Sequence, residues 1–201
     1  MNPAIITWLL FWIGVMGLPI YVFKKYKVTL HEKTWQHTIF YIFSLVILLI
    51  VYKDYLYSYF NNLSLYYLLV ILFLFWFYIS VSYKNDYYTR KERFNYQLPK
   101  FFEILFQQLC FLCGLLTFGV SPIIFGLVFF AVHTPFVFFV PKKFALFVIC
   151  GSLIGGLVFA YLQSLGVLGF LAALIIHLLF WFVFHYILTN KYLPGITPIK
   201  R

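Results

Sequence analysis

Charged residues are scarce in this chain of 201 residues. They make up only 10% of it, and just five of them are acids. Soluble domains contain about a quarter charged residues and roughly half apolar ones. Here 64% of the residues are hydrophobic and 24% are aromatic. The composition therefore excludes an ordinary soluble domain and indicates a membrane protein.

Cysteine is also rare, with Cys110, Cys113 and Cys150 all lying in apolar runs. This excludes the disulfide framework of a small secreted domain, and the Cys110–Cys113 spacing is interpreted as packing in a helix. Residues 1–23 lack the basic start and the small-residue cleavage site of a signal peptide. We therefore expect them to form a retained first helix.

Long apolar runs dominate the rest of the sequence. A helix needs roughly 20 residues to cross about 30 Å of hydrocarbon. Seven runs approach this length, and they cover residues 3–23, 36–52, 62–83, 101–119, 122–140, 143–163 and 168–189. The sequence predicts an all-α fold, a polytopic bundle of about seven transmembrane helices. Pro122 is expected to begin a helix, and Pro135 to kink the fifth helix.

Basic residues fall in alternate loops between these runs. The chain carries a net charge of +10, and of its fifteen basic residues only Lys53 lies outside the basic loops and the C-terminal tail. The positive-inside rule then places the N-terminus outside and the C-terminus in the cytoplasm. This explains the positive charge by contact with anionic lipids on the cytoplasmic side and not by nucleic acid. We expect a multi-pass integral protein of the cell (plasma) membrane.

Ionisable groups inside the predicted spans are few. They are Glu103, His133, His177 and His185, and Gln107 lies one turn after Glu103. Such residues usually face the bundle interior or a wet cavity, so we expect a polar cleft that opens toward the cytoplasm. Two simpler roles remain open: Glu103 can reach water at headgroup level, and the amides and imidazoles can hydrogen-bond between helices. The glycines from Gly151 to Gly156 are expected to allow close helix packing.

Residues 98–189 resemble the CAAX-protease and bacteriocin-processing family (CPBP, or Abi) of intramembrane endopeptidases. The first motif of that family, two glutamates followed after three residues by arginine, is matched by FEILFQQ at residues 102–108. The second motif, Phe and His four residues apart, is matched by FFAVH, which contains Phe129 and His133. The third is a histidine after a Gly-rich helix and a turn, and GSLIGGLVFAYLQSLGVLGFLAALIIHLLFW supplies it with His177.

The resemblance includes three departures from the family's motifs. Phe102 stands at the first glutamate position, Gln107 at the arginine and Trp181 at the asparagine of the last motif. The resemblance implies that Glu103 acts as general base after a shift of register, that His133 and His177 activate water, and that Gln107 donates hydrogen bonds. It also allows a metal such as zinc to be held by Glu103, His133 and His177, and it allows the same chemistry without a metal.

The predicted organisation has three parts. Residues 1–97 hold about three transmembrane helices and a basic cytoplasmic loop, residues 98–189 form a CPBP-like core of four helices, and residues 190–201 are a basic tail. The function implied by the resemblance is endoproteolysis of a membrane-anchored or hydrophobic peptide near the cytoplasmic face. The alternatives are a scaffold or peptide binder that has lost catalysis, and a small transporter.

Overall fold

The computed structural model describes residues 3–26, 33–61, 65–80, 90–139 and 142–183, and within these ranges every regular element is a helix. A 3₁₀ helix, Thr134–Phe139, separates the sixth and seventh α-helices. The α-helices are, in order, α1 (Pro3–Tyr26), α2 (Thr34–Val51), α3 (Lys53–Phe60), α4 (Leu65–Ser80), α5 (Arg90–Phe118), α6 (Pro122–His133), α7 (Lys142–Ser164) and α8 (Val167–Val183). The prediction of an all-α fold is confirmed for the described residues.

Each of the seven predicted runs overlaps one of the longer helices, and the structure differs from the prediction mainly at three places. Helix α3 lies where a loop is expected from the sequence, because its polar residues keep it out of a search for apolar runs. Helix α5 begins at Arg90, well before the predicted start at residue 101. Helix α6 begins at Pro122, as predicted, but it ends at His133, and Pro135, which is expected to kink it, lies in the 3₁₀ helix that follows. Residues 184–201, which include His185 and the basic tail, lie outside the described residues.

Among the described residues, two helical stretches are long and apolar enough to cross a membrane, Thr34–Val51 and Phe94–Phe118. Five further apolar helices have between 10 and 17 residues: Pro3–Pro19, Tyr67–Ser80, Pro122–His133, Val148–Ser164 and Val167–Val183. Length and composition therefore support membrane crossing for these two helices and do not by themselves fix the total number of crossings.

Helix α5 is the centre of the fold, because it contacts each of the other seven α-helices. Within its apolar stretch, 72% of the residues are buried. The helix carries most of the buried polar side chains as well as much of the aromatic core. Its central position therefore brings polar residues of the predicted third loop and of the first motif into the interior.

Helix α1 docks against α5 through a tryptophan. The indole N–H of Trp8 donates to the backbone carbonyl of Cys110 at 2.6 Å. One turn later, Gly114 leaves the room for this ring, since a Cβ there would lie 2.5 Å from two atoms of the indole. A small residue on the central helix thus determines where the first helix packs.

Helices α6 and α7 approach closely at a pair of glycines. A Cβ built on Gly156 would lie 2.8 Å from the carbonyl oxygen of Gly126, and one built on Gly126 would lie 3.0 Å from that of Gly156. Gly151 has open space around it, and a Cβ on Gly155 would meet only the Phe159 ring of its own helix. The predicted close packing is therefore carried by Gly156 and not by the Gly151–Gly155 pair.

Candidate functional site

Buried polar side chains from three helices meet in the interior of the bundle. Helix α5 contributes Gln97, Lys100, Glu103, Gln107 and Gln108, and α7 contributes Gln163. Helix α8 adds His177 and Trp181, which are hydrogen-bonded to each other and, through His177, to Gln108. This polar core is our candidate site, since it holds three of the four residues predicted to be catalytic.

Glu103 is held by its own helix. The ammonium nitrogen Nζ of Lys100 lies 2.9 Å from Oε1 and 2.8 Å from Oε2 of the carboxylate, and Nε2 of Gln107 donates to Oε1 at 3.0 Å. The spacings of three and four residues place all three side chains on one face of α5. Because the lysine bridges both oxygens, the carboxylate is part of a closed ion pair and not a free general base.

Lys100 also contacts aromatic rings. Its ammonium nitrogen lies 4.1 Å from the ring centroid of Trp181 on α8 and 5.8 Å from that of Tyr96. A cation over an indole face is stabilised by the ring's quadrupole, most strongly where water is excluded. Trp181, at the position of the family's asparagine, therefore stabilises the cation that neutralises Glu103.

His177 has a partner at each ring nitrogen. The indole N–H of Trp181 donates to Nε2 at 3.0 Å, and the side-chain amide of Gln108 lies 2.7 Å from Nδ1. An indole nitrogen can only donate, so Nε2 of His177 accepts, while the direction of the hydrogen bond between Nδ1 and Nε2 of Gln108 depends on the tautomer of the ring. The ring also stacks on Phe159, with 5.2 Å between centroids. Both nitrogens are thus engaged within the protein.

Gln163 extends the polar core toward the α7–α8 turn. Its Nε2 donates to the side-chain oxygen of Gln108 at 2.7 Å and to the backbone carbonyl of the same residue at 3.2 Å. At the turn, the hydroxyl of Tyr59 on α3 lies 2.6 Å from the carbonyl oxygens of both Gln163 and Gly166. Burial raises the pKa of Tyr59, so this hydroxyl stays protonated and remains a donor.

His133 lies among aromatic side chains. Its ring centroid is 4.2 Å from that of Phe129 and 4.9 Å from that of Trp12 on α1. It ends α6, immediately before the 3₁₀ helix that contains Pro135. A series of ring contacts through Phe129, Phe111 and Phe159 connects it to His177. The two predicted histidines are therefore embedded in an aromatic layer.

The predicted metal ligands are not assembled as a set. In the described part of the chain, no group of three His, Cys, Asp or Glu side chains is arranged to hold a metal ion. The physical reason is visible at two of the predicted ligands: Lys100 takes the carboxylate of Glu103, while Trp181 and Gln108 take the two nitrogens of His177. These contacts engage both oxygens of the Glu103 carboxylate and both ring nitrogens of His177 within the protein.

Phe102, at the family's first glutamate position, belongs to the aromatic packing around the polar core. Its ring is 5.7 Å from that of Phe101 and 5.8 Å from that of Phe75 on α4. The position that would carry the catalytic carboxylate in the family therefore contributes to the α4–α5 contact. Glu103 lies on a different face of the helix.

Sequence reasoning misses Lys100 and Gln163. The apolar runs place Lys100 in a cytoplasmic loop, yet it is 5% exposed inside α5. Its spacing of three residues from Glu103 is the available signal, because residues three apart are neighbours on a helix. Gln163 is completely buried, and its only sequence signal is an amide at the end of an apolar run.

Comparison of the chain with family models, with curated proteins and with solved structures finds no match. A functional assignment therefore rests on the geometry of the polar core and on the sequence resemblance.

Proposed function

We propose that the chain is a multi-pass membrane helix bundle of the cell membrane in which the seven longer described helices cross in alternating directions and the short α3 does not cross. The outer surface supports this, because large apolar side chains are exposed all around it while Lys100 and Glu103 are buried. Exposed fractions reach 67% at Leu10, 65% at Ile50 and 71% at Leu146. Soluble monomers rarely expose apolar patches on this scale, whereas lipid would cover them.

Contacts between helix ends agree with the alternating order. The hydroxyl of Tyr52, after α2, donates to the carbonyl of Ala4 at the start of α1. At the other end of α2, the hydroxyl of Thr34 donates to the carbonyl of Asn95 near the start of α5. Each contact joins helix ends that the basic loops assign to the same side of the membrane.

Within this bundle we propose a CPBP-like fold whose polar core is structural and whose role is that of a membrane scaffold or peptide binder. The observation that carries the proposal is Trp181, which contacts both Lys100 and His177 at the position where the family has asparagine. An oxyanion site needs preorganised donors directed at a substrate atom. Here the indole N–H is directed at a histidine instead.

Endoproteolysis is the second candidate. It is favoured by the presence of Glu103 and His177 in one buried cluster, on the two helices where the resemblance puts them. For hydrolysis, Lys100 would have to leave the carboxylate and Trp181 would have to release Nε2 of His177, so that a water could be deprotonated.

A cleavage assay distinguishes the scaffold or peptide binder from the endoprotease. The purified protein in nanodiscs is incubated with a diverse peptide pool, and the products are identified by mass spectrometry. The triple variant Glu103→Ala/His133→Ala/His177→Ala is the matched control, with added chelator and added zinc as further arms. We expect the wild type and the variant to give the same background level of peptide cleavage. Cleavage by the wild type alone would establish the peptidase, and its loss with chelator would assign a metal to it.

A further inference from the structure

A groove of about 620 Å³ opens between the C-terminal part of α1 and the first turns of α2. Pockets that bind small molecules and cofactors have volumes of about 300–1,000 Å³, so the groove is large enough for part of a lipid. It lies away from the hydrogen bonds that join α5 to α7 and α8.

The lining of the groove has two chemically different parts. Leu18 and Pro19 of α1 and Phe40 of α2 give it an apolar floor. Lys33 and Gln36 stand at the beginning of α2, about 10 Å and about 6 Å along the helix from Phe40 at 1.5 Å per residue. A molecule with a polar head and an apolar chain therefore matches the groove in the direction of the helix axis.

The polar end of the groove is positively charged. Lys33 is exposed there, and Lys25 lies close by, with its ammonium nitrogen 5.5 Å from the ring centroid of Tyr26, which also lines the groove. In addition, the first turn of α2 has no side-chain cap, so its backbone N–H groups and the helix dipole also favour an anion.

We propose that this groove binds one anionic phospholipid, with the headgroup phosphate at Lys33 and Gln36 and an acyl chain along Leu18, Pro19 and Phe40. The proposal rests on the membrane bundle proposed above, and it assigns a specific lipid site to one end of that bundle. The polar end lies at the basic loop, which the positive-inside rule assigns to the cytoplasmic leaflet where anionic lipid meets lysine.

Native mass spectrometry of the protein released from detergent micelles tests this with two probes, phosphatidylglycerol and phosphatidylcholine of the same chain length. We expect one phosphatidylglycerol to be retained preferentially. Lys33→Gln should weaken retention about fivefold, the factor that corresponds to ~1 kcal/mol per basic residue at a membrane surface. Lys53→Gln, at the opposite end of α2, is the matched control and should leave retention unchanged.

Leu18→Trp tests the apolar part, because it fills the groove at a half-exposed position where the fold can accept a larger ring. It should reduce lipid retention, and soluble glycerol phosphate should not compete with the lipid. Equal retention of the two lipids, equal effects of Lys33→Gln and Lys53→Gln, or competition by glycerol phosphate would each overturn the proposal. Alkaline extraction of membranes checks separately that the chain is embedded, so that failure of the lipid site is distinguishable from failure of the membrane proposal.

Discussion

Lys100 and Glu103 form an ion pair within one turn of the central helix, with the ammonium 2.8 Å from one carboxylate oxygen and 2.9 Å from the other. Their side chains are 7% and 11% exposed. A lone carboxylate in an apolar helix is costly, whereas a paired one makes the interior neutral. The pair therefore explains how a glutamate is accommodated in the run FFEILFQQLC. It also favours a structural role for Glu103 over the role of a catalytic base.

Removing one member of this pair should destabilise the protein strongly. Glu103→Leu leaves a buried ammonium and Lys100→Leu a buried carboxylate, and losses of this kind typically cost about 3–5 kcal/mol. We expect each single variant to lower the thermal unfolding midpoint in detergent markedly. The measurement is unfolding followed by circular dichroism at 222 nm, with refolding checked.

The double variant Lys100→Leu/Glu103→Leu provides the control. Because it removes both charges, it should be more stable than either single variant, and the double-mutant cycle should show a large favourable coupling. If the effects of the two single variants simply add, the two charges do not stabilise each other, and the structural role of the pair is wrong.

Much of the fold can be predicted because the physical signal is strong and local. Apolar runs of membrane length locate seven helices, and Pro122 locates the start of α6. Helix α3 cannot be found in this way, since its stability comes from burying Leu56 and packing on α5. Short polar helices depend on their neighbours, and a single sequence does not show which neighbours they will have.

The candidate site can be predicted only in part. Glu103, Gln107 and His177 do lie in the polar core, because polar residues in an apolar helix turn inward. A sequence does not show which side chains pair with each other. It does not show that Lys100 pairs with Glu103, or that Trp181 contacts both Lys100 and His177. Those contacts depend on the rotation of α5 and α8 about their axes, and a rotation of one residue exchanges every partner.

Trp181→Phe tests the hydrogen bond to His177 while it keeps an aromatic ring near Lys100. The variant should lose about 1 kcal/mol, the net value of a buried hydrogen bond. Unfolding can be followed with a thiol-reactive dye in a Cys150→Ser background, because Cys110 and Cys113 are buried and react only when the fold opens. Trp76→Phe on α4 is the control, since Trp76 is 63% exposed and should be neutral. A stability loss at Trp76 as large as that at Trp181 would contradict the assignment.

Gly156→Ala tests the close contact between α6 and α7. A methyl group would lie 2.8 Å from the Gly126 carbonyl oxygen and 3.2 Å from the Phe129 ring, so the helices must move apart. We expect a loss of about 1–3 kcal/mol, as for other overpacked sites. Gly151→Ala on the same helix meets open space and should be neutral or slightly stabilising, since alanine is the better helix former. Equal unfolding midpoints for the two variants would show that the contact does not determine the packing.

The proposed alternating arrangement of the helices predicts which lysines face the cytoplasm. Lys33 and Lys53 flank α2 at opposite ends, and both are exposed. In a cysteine-free background, with Cys110 and Cys113 changed to alanine and Cys150 to serine, Lys53→Cys should react with a membrane-impermeant maleimide added to intact cells. Lys33→Cys should react only after the membrane is permeabilised, because the positive-inside rule places its basic loop in the cytoplasm. Labelling of both cysteines in intact cells would mean that α2 does not cross the membrane, and labelling of Lys33→Cys alone would invert the topology. The first result would remove the basis for the proposed bundle, and the second would place the lipid groove at the outer leaflet. The expected pattern would make α2 a true crossing and place the groove at the cytoplasmic leaflet.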